Sequence, residues 1–220
     1  MDDRFESEGQ LDGHSFGNIL IAALVGIGGD FRRGVEAAGE LLAIRGRVIP
    51  STLSNVTLVG STVSGETLIG ETRVGNSSDR LRSLTLIPSN PTAHPEAVRA
   101  IEEADLIVIG PGSLFTSIVP NLLISEISDA LADSPAFKVY VCNVAEEDAA
   151  SGNALSEQVF VKAAAEGAEA VVVSAAIEAE LVAMPVEDRA EFLAELGLDE
   201  SGLSRVIRAG YKLLGLQTFF

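Results

Sequence analysis

Three short, continuously apolar segments alternate with stretches of helical periodicity in the second half of this chain, and this alternation constrains the fold most. The strand candidates are residues 105–109, 137–141 and 168–173, and the helical stretches are 95–104, 118–131 and 154–165. Buried strands separated by helices favour a parallel sheet that is covered on both faces. We therefore predict a three-layer, Rossmann-like, doubly wound α/β fold. Residues 186–196 and 201–214 predict two further helices, which would form a helical C-terminus.

The first part of the chain has a different texture. Residues 19–24 and 35–44 have the apolar density of helices, and the break Gly28-Gly29-Asp30 separates them. β-Branched residues then cluster in segments 56–59, 68–74 and 83–87, with Ser-Gly and Gly-Asn turns between them. We predict a β-rich insertion near residues 47–87, mostly antiparallel.

The charge balance excludes two classes of partner. The chain has 32 acidic and 15 basic residues, a formal net charge of −17, which repels phosphate backbones and anionic lipid headgroups. We therefore expect no direct nucleic-acid partner and no membrane association. Residues 1–10 are polar and acidic, and the longest apolar run, 19–27, is about half the ~18–20 residues that span a bilayer. These features predict a soluble, cytoplasmic protein.

Residues that bind metals are scarce. Cys142 is the only cysteine, and His14 and His94 are the only histidines. We therefore expect neither a disulfide framework nor a cysteine-based metal site, and a zinc site would need an unusual ligand set. The acidic run 146–148 has two interpretations, a divalent-cation site that could take Mg²⁺ or, more commonly, a solvated loop.

The best candidate for a ligand site is the segment 110–117, which follows the first strand of the predicted parallel sheet and leads into a helix. Its candidate binding residues are Gly110, Pro111, Gly112, Ser113, Thr116 and Ser117. The glycines allow close approach of the backbone to a ligand, and free N–H groups at a helix start favour an anion. Ligands of open α/β sheets bind at the carboxyl ends of strands, where this segment lies. The alternative interpretation is a tight turn with helix caps.

A second set of polar residues follows the next two strands. Asn143 and Glu146 come after the second strand, and Ser174 comes after the third. Because these positions share one sheet edge with the 110–117 segment, an amide and a carboxylate there could recognise a nucleotide base. The alternative is that Asn143 caps a turn and Glu146 is a solvated surface residue.

Three weaker patterns occur near the start of the chain. The sequence Gly13-His-Ser-Phe-Gly17 matches the nucleophile elbow of hydrolases, with Asp79 and His94 downstream, but the elbow requires a buried strand before it and residues 6–12 are polar. Ser15 and Asn18 fit a helix cap or a ligand contact better. Residues 26–31 match the dinucleotide fingerprint only in part. Asp12 and Asp30 are as consistent with helix caps as with catalytic acids.

Five stretches between residues 4 and 144 match one known family. They are Gly13–Asn18, Gly46–Thr52, Gly65–Ile69, Ile101–Leu123 and Lys138–Asn143, and the block Gly110–Leu123 is highly specific. In these stretches the chain resembles the YvcK/CofD family. The resemblance implies a doubly wound α/β fold that binds UDP-N-acetylglucosamine (UDP-GlcNAc) in YvcK, a gluconeogenesis factor that regulates carbon metabolism and cell shape. CofD, the 2-phospho-L-lactate transferase, instead transfers a phospholactyl group to a deazaflavin. His14, Ser15 and Asn18 would border the pocket, and Asn143 would touch the base or ribose.

The last third carries a second set of motifs. They are Val139–Glu147, Ala163–Ala168, Ser174–Glu180 and Gly202–Tyr211. Here the chain resembles YchF, the ATP-preferring member of the Obg-like GTPases. The resemblance implies base recognition by Asn143, Val144, Glu146, Ser174 and Ala175, with Glu146 favouring adenine.

The two resemblances meet at residues 139–144, which suggests a chimera or a fragment. Residues 1–144 would form the YvcK/CofD-like region, and residues 145–220 a YchF-like part that completes the same sheet. The N-terminal Gly-rich loop of either family is absent. We therefore expect binding of a nucleotide or nucleotide sugar without catalysis. Alternatives are ATP binding and hydrolysis, phospholactyl transfer, or a scaffold without a ligand. A sheet edge left open would favour a homo-oligomer.

Overall fold

A computed structural model describes residues 16–216, apart from the side chains of Phe16 and Asn18. Helices α1 (Phe16–Gly28) and α2 (Phe31–Leu41) come first and lie against each other. The side chain of Asp30 accepts a hydrogen bond from the backbone N–H of Arg33 at 2.9 Å, and it therefore caps α2. This separation of two helices at Gly28-Gly29-Asp30 confirms the sequence prediction.

The β-rich insertion is an antiparallel sheet of three strands. Its elements are β1 (Thr57–Thr62), β2 (Thr67–Ile69), α3 (Glu71–Gly75) and β3 (Leu81–Ile87). Strand β1 lies between β2 and β3, and Leu58, Leu68 and Leu86 form part of a buried core beneath the sheet.

One strand of the insertion is shorter than predicted. The segment 68–74 leaves the extended conformation at Gly70, whose φ is +93°, and continues as α3. Its apolar residue Val74 is only 3% exposed because it packs into the same core as Leu58. The β-branched residues after Gly70 are therefore helical, and the prediction of a strand there is wrong.

The remaining elements alternate as predicted for an α/β sheet. They are α4 (Pro95–Glu102), β4 (Leu106–Ile109), α5 (Val119–Leu122), α6 (Ser125–Asp133), β5 (Phe137–Asn143), α7 (Ala154–Ala165), β6 (Glu169–Val173), α8 (Ala175–Ala183), α9 (Arg189–Glu195) and α10 (Gly202–Leu213). Strands β4, β5 and β6 are parallel neighbours in that order.

Helices cover both faces of the parallel sheet. On one face, Val139, Val141, Val171 and Val173 pack against Ala209 of α10. On the other face, a β-carbon added to Gly152, beside the start of α7, would lie 3.5 Å from the side chain of Val172. Since successive side chains of a strand point to opposite faces, α7 and α10 cover opposite faces. The three-layer α/β architecture and the helical C-terminus are confirmed.

Two helical predictions need correction. The single helix expected over residues 118–131 is a π-helical turn (Leu114–Ile118) that runs into α5 and is followed by α6; segments 114–122 and 125–133 lie 81° apart. The chain bends there because Ile124 has an extended backbone and a side chain only 2% exposed. Residues 175–183, for which the sequence pattern predicted no element, form α8. The helix predicted from residue 186 begins at Arg189.

Within residues 16–216, no single helix is both long and apolar enough to cross a membrane, and only the bent pair 114–122 and 125–133 passes on length and composition.

Candidate functional site

A cleft of about 1060 Å³ lies along β5, from Lys138 to Asn143, and reaches the carboxyl ends of β4 and β5. Its polar lining comes from Gly112, Ser113, Lys138, Tyr140, Cys142, Asn143, Asn153, Ser156 and Glu166, and its apolar lining includes Ile109, Leu114, Ile118, Leu122, Leu131, Val144, Leu155 and Val159. The cleft therefore brings together the segment after β4 and the end of β5, which the sequence placed at one sheet edge.

Gly110 fixes the path of the chain out of β4. Its φ is +95°, and a β-carbon there would lie 2.9 Å from the carbonyl oxygen of Val141. An L-residue would therefore meet both an unfavourable backbone conformation and a steric contact with β5. Gly110 lets the chain pass close over the neighbouring strand and carry Gly112 and Ser113 into the cleft.

The helical turn that follows begins at the cleft wall. The carbonyl oxygen of Ser113 accepts hydrogen bonds from the N–H groups of Ser117 at 2.8 Å and Ile118 at 3.1 Å. The N–H groups before them have no partner within the turn, as at every helix start. Because Ser113 and Leu114 line the cleft, this end of the segment presents the donors that an anion needs.

Two hydroxyl residues of the same segment, Thr116 and Ser117, are not part of the cleft lining, although the side chain of Ser117 lies beside Gly112. The methyl group of Thr116 lies beside Gly75, 3.5 Å from where a β-carbon there would stand. The carbonyl oxygen of Ser117 accepts a hydrogen bond from the Asn121 side chain at 2.6 Å, and Asn121 in turn accepts one from the Ser51 hydroxyl. These contacts join the 110–117 segment to the antiparallel insertion and, through Asn121, to Ser51.

Asn143 lies between the ends of two strands. Its side-chain oxygen accepts a hydrogen bond from the backbone N–H of Ala175 at 2.9 Å, and the N–H of Val144 donates to the carbonyl oxygen of Val173 at 2.9 Å. Ser174 is only 2% exposed, and its hydroxyl has no hydrogen-bond partner among the described residues. The structure therefore places Asn143 and Val144 on the cleft and Ser174 and Ala175 directly behind them.

The floor of the cleft contains a pair that sequence analysis missed. The hydroxyl of Tyr140 donates to Glu166 at 3.0 Å, and Lys162 forms an ion pair with Glu166 at 2.6 Å. The hydrogen bond from Lys162, and then that from Tyr140, lowers the pKa of Glu166, whereas burial raises the pKa of Tyr140. Burial also raises the pKa of the Cys142 thiol. Alternation along β5 is the signal that would have placed residues 138, 140 and 142 on one face.

One known protein family matches most of this chain. The family model described as 2-phospho-L-lactate transferase CofD matches residues 1–206. This chain belongs to the CofD family. A relative from Nostoc sp. is 48% identical over 141 residues, which cover 64% of this chain and 31% of that protein. A Bacillus subtilis protein named gluconeogenesis factor is 41% identical over 141 residues, 64% of this chain and 44% of its own length. The CofD-family chain thus spans less than half the length of these relatives.

A solved structure agrees with the fold. The crystal structure of a UPF0052 family member from Bacillus halodurans has a TM-score of 0.61 and 35% identity to this CofD-family chain, covering 82% of the chain and 61% of the other protein. The CofD match spans residues 139–144, where sequence analysis joined two families. No comparison supports a YchF segment or a chimera, and a single family accounts for both sides of that junction.

Other candidate residues of this CofD-family chain have local structural roles. His94 is 6% exposed, and its Nδ1 accepts a hydrogen bond from the N–H of Glu96 at 3.1 Å, which caps α4. Hydrogen bonds, mainly from Ser64, lower the pKa of Asp79. His14 and Ser15 lie outside the described residues, as does the side chain of Asn18.

The acidic run does not extend the site. Glu146 begins a short 3₁₀ turn, Glu146–Asp148, and is exposed outside the cleft lining. Over residues 16–216, no three side chains of His, Cys, Asp or Glu are grouped so that they could hold a metal ion.

Proposed function

We propose that this chain binds a nucleotide or a nucleotide sugar of the UDP-GlcNAc type and acts as a regulatory protein rather than a catalyst. The observation that carries the proposal is the meeting of Gly112, Ser113 and Asn143 on one cleft of about 1060 Å³. Small-molecule sites are concave and mostly apolar, with a few convergent polar groups. The relative named gluconeogenesis factor supports the regulatory role.

Each polar group has a distinct part in the proposed complex. Backbone N–H groups of Gly112 and Ser113 hold a phosphate at the start of the helical turn, assisted by the Ser113 hydroxyl. Pro111 and Gly110 set the path of this segment, and Thr116 and Ser117 support it from behind. The oxygen of Asn143 is engaged by Ala175, so its NH₂ group is the one left to donate to a base or ribose.

Phospholactyl transfer is the second candidate. The matching family model is described as a 2-phospho-L-lactate transferase, and Leu114, Ile118 and Leu122 form an apolar wall of the cleft. A flat aromatic acceptor such as a deazaflavin would bury its faces against such a wall. This candidate predicts that a deazaflavin binds the cleft and that phospholactyl transfer is measurable.

A further part of the proposal is self-association through β4. This strand pairs only with β5 within residues 16–216, and Val108 on it is 44% exposed. An open strand edge beside an apolar side chain favours pairing with a second copy. Light scattering after size-exclusion chromatography measures this directly, and a monomer at 100 μM would contradict it.

A ligand panel tests the binding function. Thermal unfolding and calorimetry are compared for UDP-GlcNAc, UDP, ATP, GTP and a deazaflavin. A ligand at 100 times its dissociation constant stabilises a protein by about 2.7 kcal/mol. We expect a uridine-selective shift. An adenine-selective or deazaflavin-selective shift would replace the proposed ligand, and no shift in a cooperatively unfolding protein would overturn the proposal.

Matched variants locate the site. Ser113→Ala removes a hydroxyl at the cleft, and Ser128→Ala removes one that bonds only the nearby carbonyl of Ser125. One neutral hydrogen bond is worth about 1 kcal/mol, so Ser113→Ala weakens binding about fivefold and Ser128→Ala leaves it unchanged. Equal affinity in both variants would place the ligand elsewhere.

A further inference from the structure

Strand β6 forms one edge of the parallel sheet. Within the described part of the chain it pairs only with β5. The carbonyl oxygen of Val173 accepts the N–H of Val144, so the backbone groups of Val173 and Val171 turn toward β5. Because these groups alternate along a strand, those of Ala170 and Val172 turn outward.

A groove of about 360 Å³ runs along this edge, with residues 169–172 of β6 as its floor. Arg205, Arg208 and Lys212 of α10 line one wall. Phe160 of α7 and the loop 150–152 line the other. No residue lines both this groove and the ligand cleft, so the two surfaces are separate.

The two walls lie on opposite faces of the sheet. Val171 and Val173 point toward α10, where they pack with Ala209. The side chain of Val172 points the other way, toward Gly152 and α7. A strand added beside β6 would therefore direct alternate side chains to the basic wall and to the wall with Phe160.

The basic wall has an excess of positive charge in a chain whose formal net charge is −17. Lys212 is paired with Glu169, and Arg208 with Glu200, but the side chains of Arg208 and Lys212 are 72% and 71% exposed. Pairs at a protein surface contribute little, and here the carboxylates of Glu200 and Glu169 are only 27% and 29% exposed. Arg205 donates to the carbonyl of Ala149 at 3.3 Å, while its Nε is buried and has no partner among the described residues.

We infer that the edge of β6 binds an extended segment of another protein, in which acidic and apolar residues alternate, as an added strand. The outward groups of Ala170 and Val172 supply the main-chain hydrogen bonds. Arg205, Arg208 and Lys212 select the acidic side chains, and the wall with Phe160 takes the apolar ones. Strand addition of this kind gains affinity from the main chain and specificity from alternate side chains.

The test uses a fluorescent octapeptide of alternating Glu and Val, measured by fluorescence anisotropy. A matched peptide carries Lys in place of Glu, and two others are N-methylated at either the odd or the even positions. We expect the Glu peptide to bind, the Lys peptide to bind at least tenfold more weakly, and only one N-methylated series to lose binding. Hydrogen exchange should slow at the amides of Ala170 and Val172. No binding, equal binding of the Glu and Lys peptides, or equal effects of both methylation patterns would overturn the inference.

A variant that removes two positive charges from the groove provides a second test. The double variant Arg208→Ala/Lys212→Ala should weaken binding about two- to thirtyfold, since each exposed pair contributes about 0.2–1 kcal/mol. It should also flatten the dependence on salt. Arg73→Ala/Arg82→Ala, which removes the same charge from the antiparallel insertion, is the matched control. If both double variants weaken binding of the peptide equally, the net charge of the protein rather than the groove is responsible, and the inference fails.

Discussion

The side-chain oxygen of Asn143 accepts a hydrogen bond from the backbone N–H of Ala175 at 2.9 Å. This contact joins the carboxyl end of β5 to the first turn of α8, across 32 residues of sequence. It also orients the amide, because the oxygen is used within the fold and the NH₂ group is left for a ligand. Asn143 therefore has a structural role through its side-chain oxygen and a proposed ligand-binding role through its NH₂ group.

Two substitutions at Asn143 separate its contribution to stability from its proposed contribution to ligand binding. Asn143→Ala removes the acceptor and should reduce the free energy of unfolding by about 1 kcal/mol. Asn143→Asp keeps an acceptor and places a negative charge at the start of α8, where the helix dipole favours it, so stability should be retained. Both variants should lose affinity for UDP-GlcNAc because both lack the donor. Urea unfolding and calorimetric titration measure the two effects, and an Asp variant that binds like the parent would exclude Asn143 from the site.

Gly110 and Gly65 allow a steric contact to be separated from backbone strain. Both have a φ of +95°, but a β-carbon on Gly65 would meet nothing within 4 Å, whereas one on Gly110 would lie 2.9 Å from the Val141 carbonyl oxygen. Gly65→Ala should cost about 1–2 kcal/mol from the backbone alone. Gly110→Ala should cost about 1–3 kcal/mol more because the strand must shift. Chemical denaturation compares them, and equal losses would show that the loop after β4 adapts without strain.

The sequence predicted the structure best where a residue pattern is typical of only one kind of structure. Short runs such as 105–109 and 168–173 predicted buried strands, and Gly110 predicted the close turn after β4. Because the carboxyl ends of parallel strands meet at one edge of a sheet, the sequence also predicted that Gly112 and Asn143 lie near each other. Tyr140 and Glu166, by contrast, are 26 residues apart, and nothing local to either residue predicts that they meet.

The two errors at Val74 and Ile124 have a common physical origin. Val74 and Ile124 are buried in the same core, and each lies where tertiary packing overrides the local pattern. Gly70 ends a strand that its β-branched neighbours would continue, and Ile124 interrupts a helix whose flanks are helical. The helix over residues 175–183 was not predicted, because its sequence is apolar on most sides and lacks the one-sided periodicity that marks a surface helix.

The pair formed by Tyr140 and Glu166 predicts a dependence on pH. Because the pKa of Glu166 is lowered in the folded protein, by Lys162 first and Tyr140 second, the contact stabilises the fold above the ordinary pKa of a glutamate. That contribution is lost as pH falls through the lowered value. Tyr140→Phe should move the Glu166 pKa back toward its ordinary value but not fully, since Lys162 remains. Carbon-detected NMR titration of the glutamate carboxyl groups measures this, and an unchanged Glu166 would mean that the tyrosine contact is absent in solution.

Cys142 provides an internal reporter of the cleft. It is the only cysteine of the chain, it lines the cleft, and burial raises the pKa of its thiol. Since the thiolate is the reactive form, alkylation by iodoacetamide at pH 8 should be several-fold slower in the native protein than in urea. A ligand that fills the cleft, at ten times its dissociation constant, should slow labelling about another tenfold by mass action. Mass spectrometry gives the rates. The Ser113→Ala variant should need about five times more ligand for the same protection, and protection that is identical in both proteins would place the ligand away from Ser113.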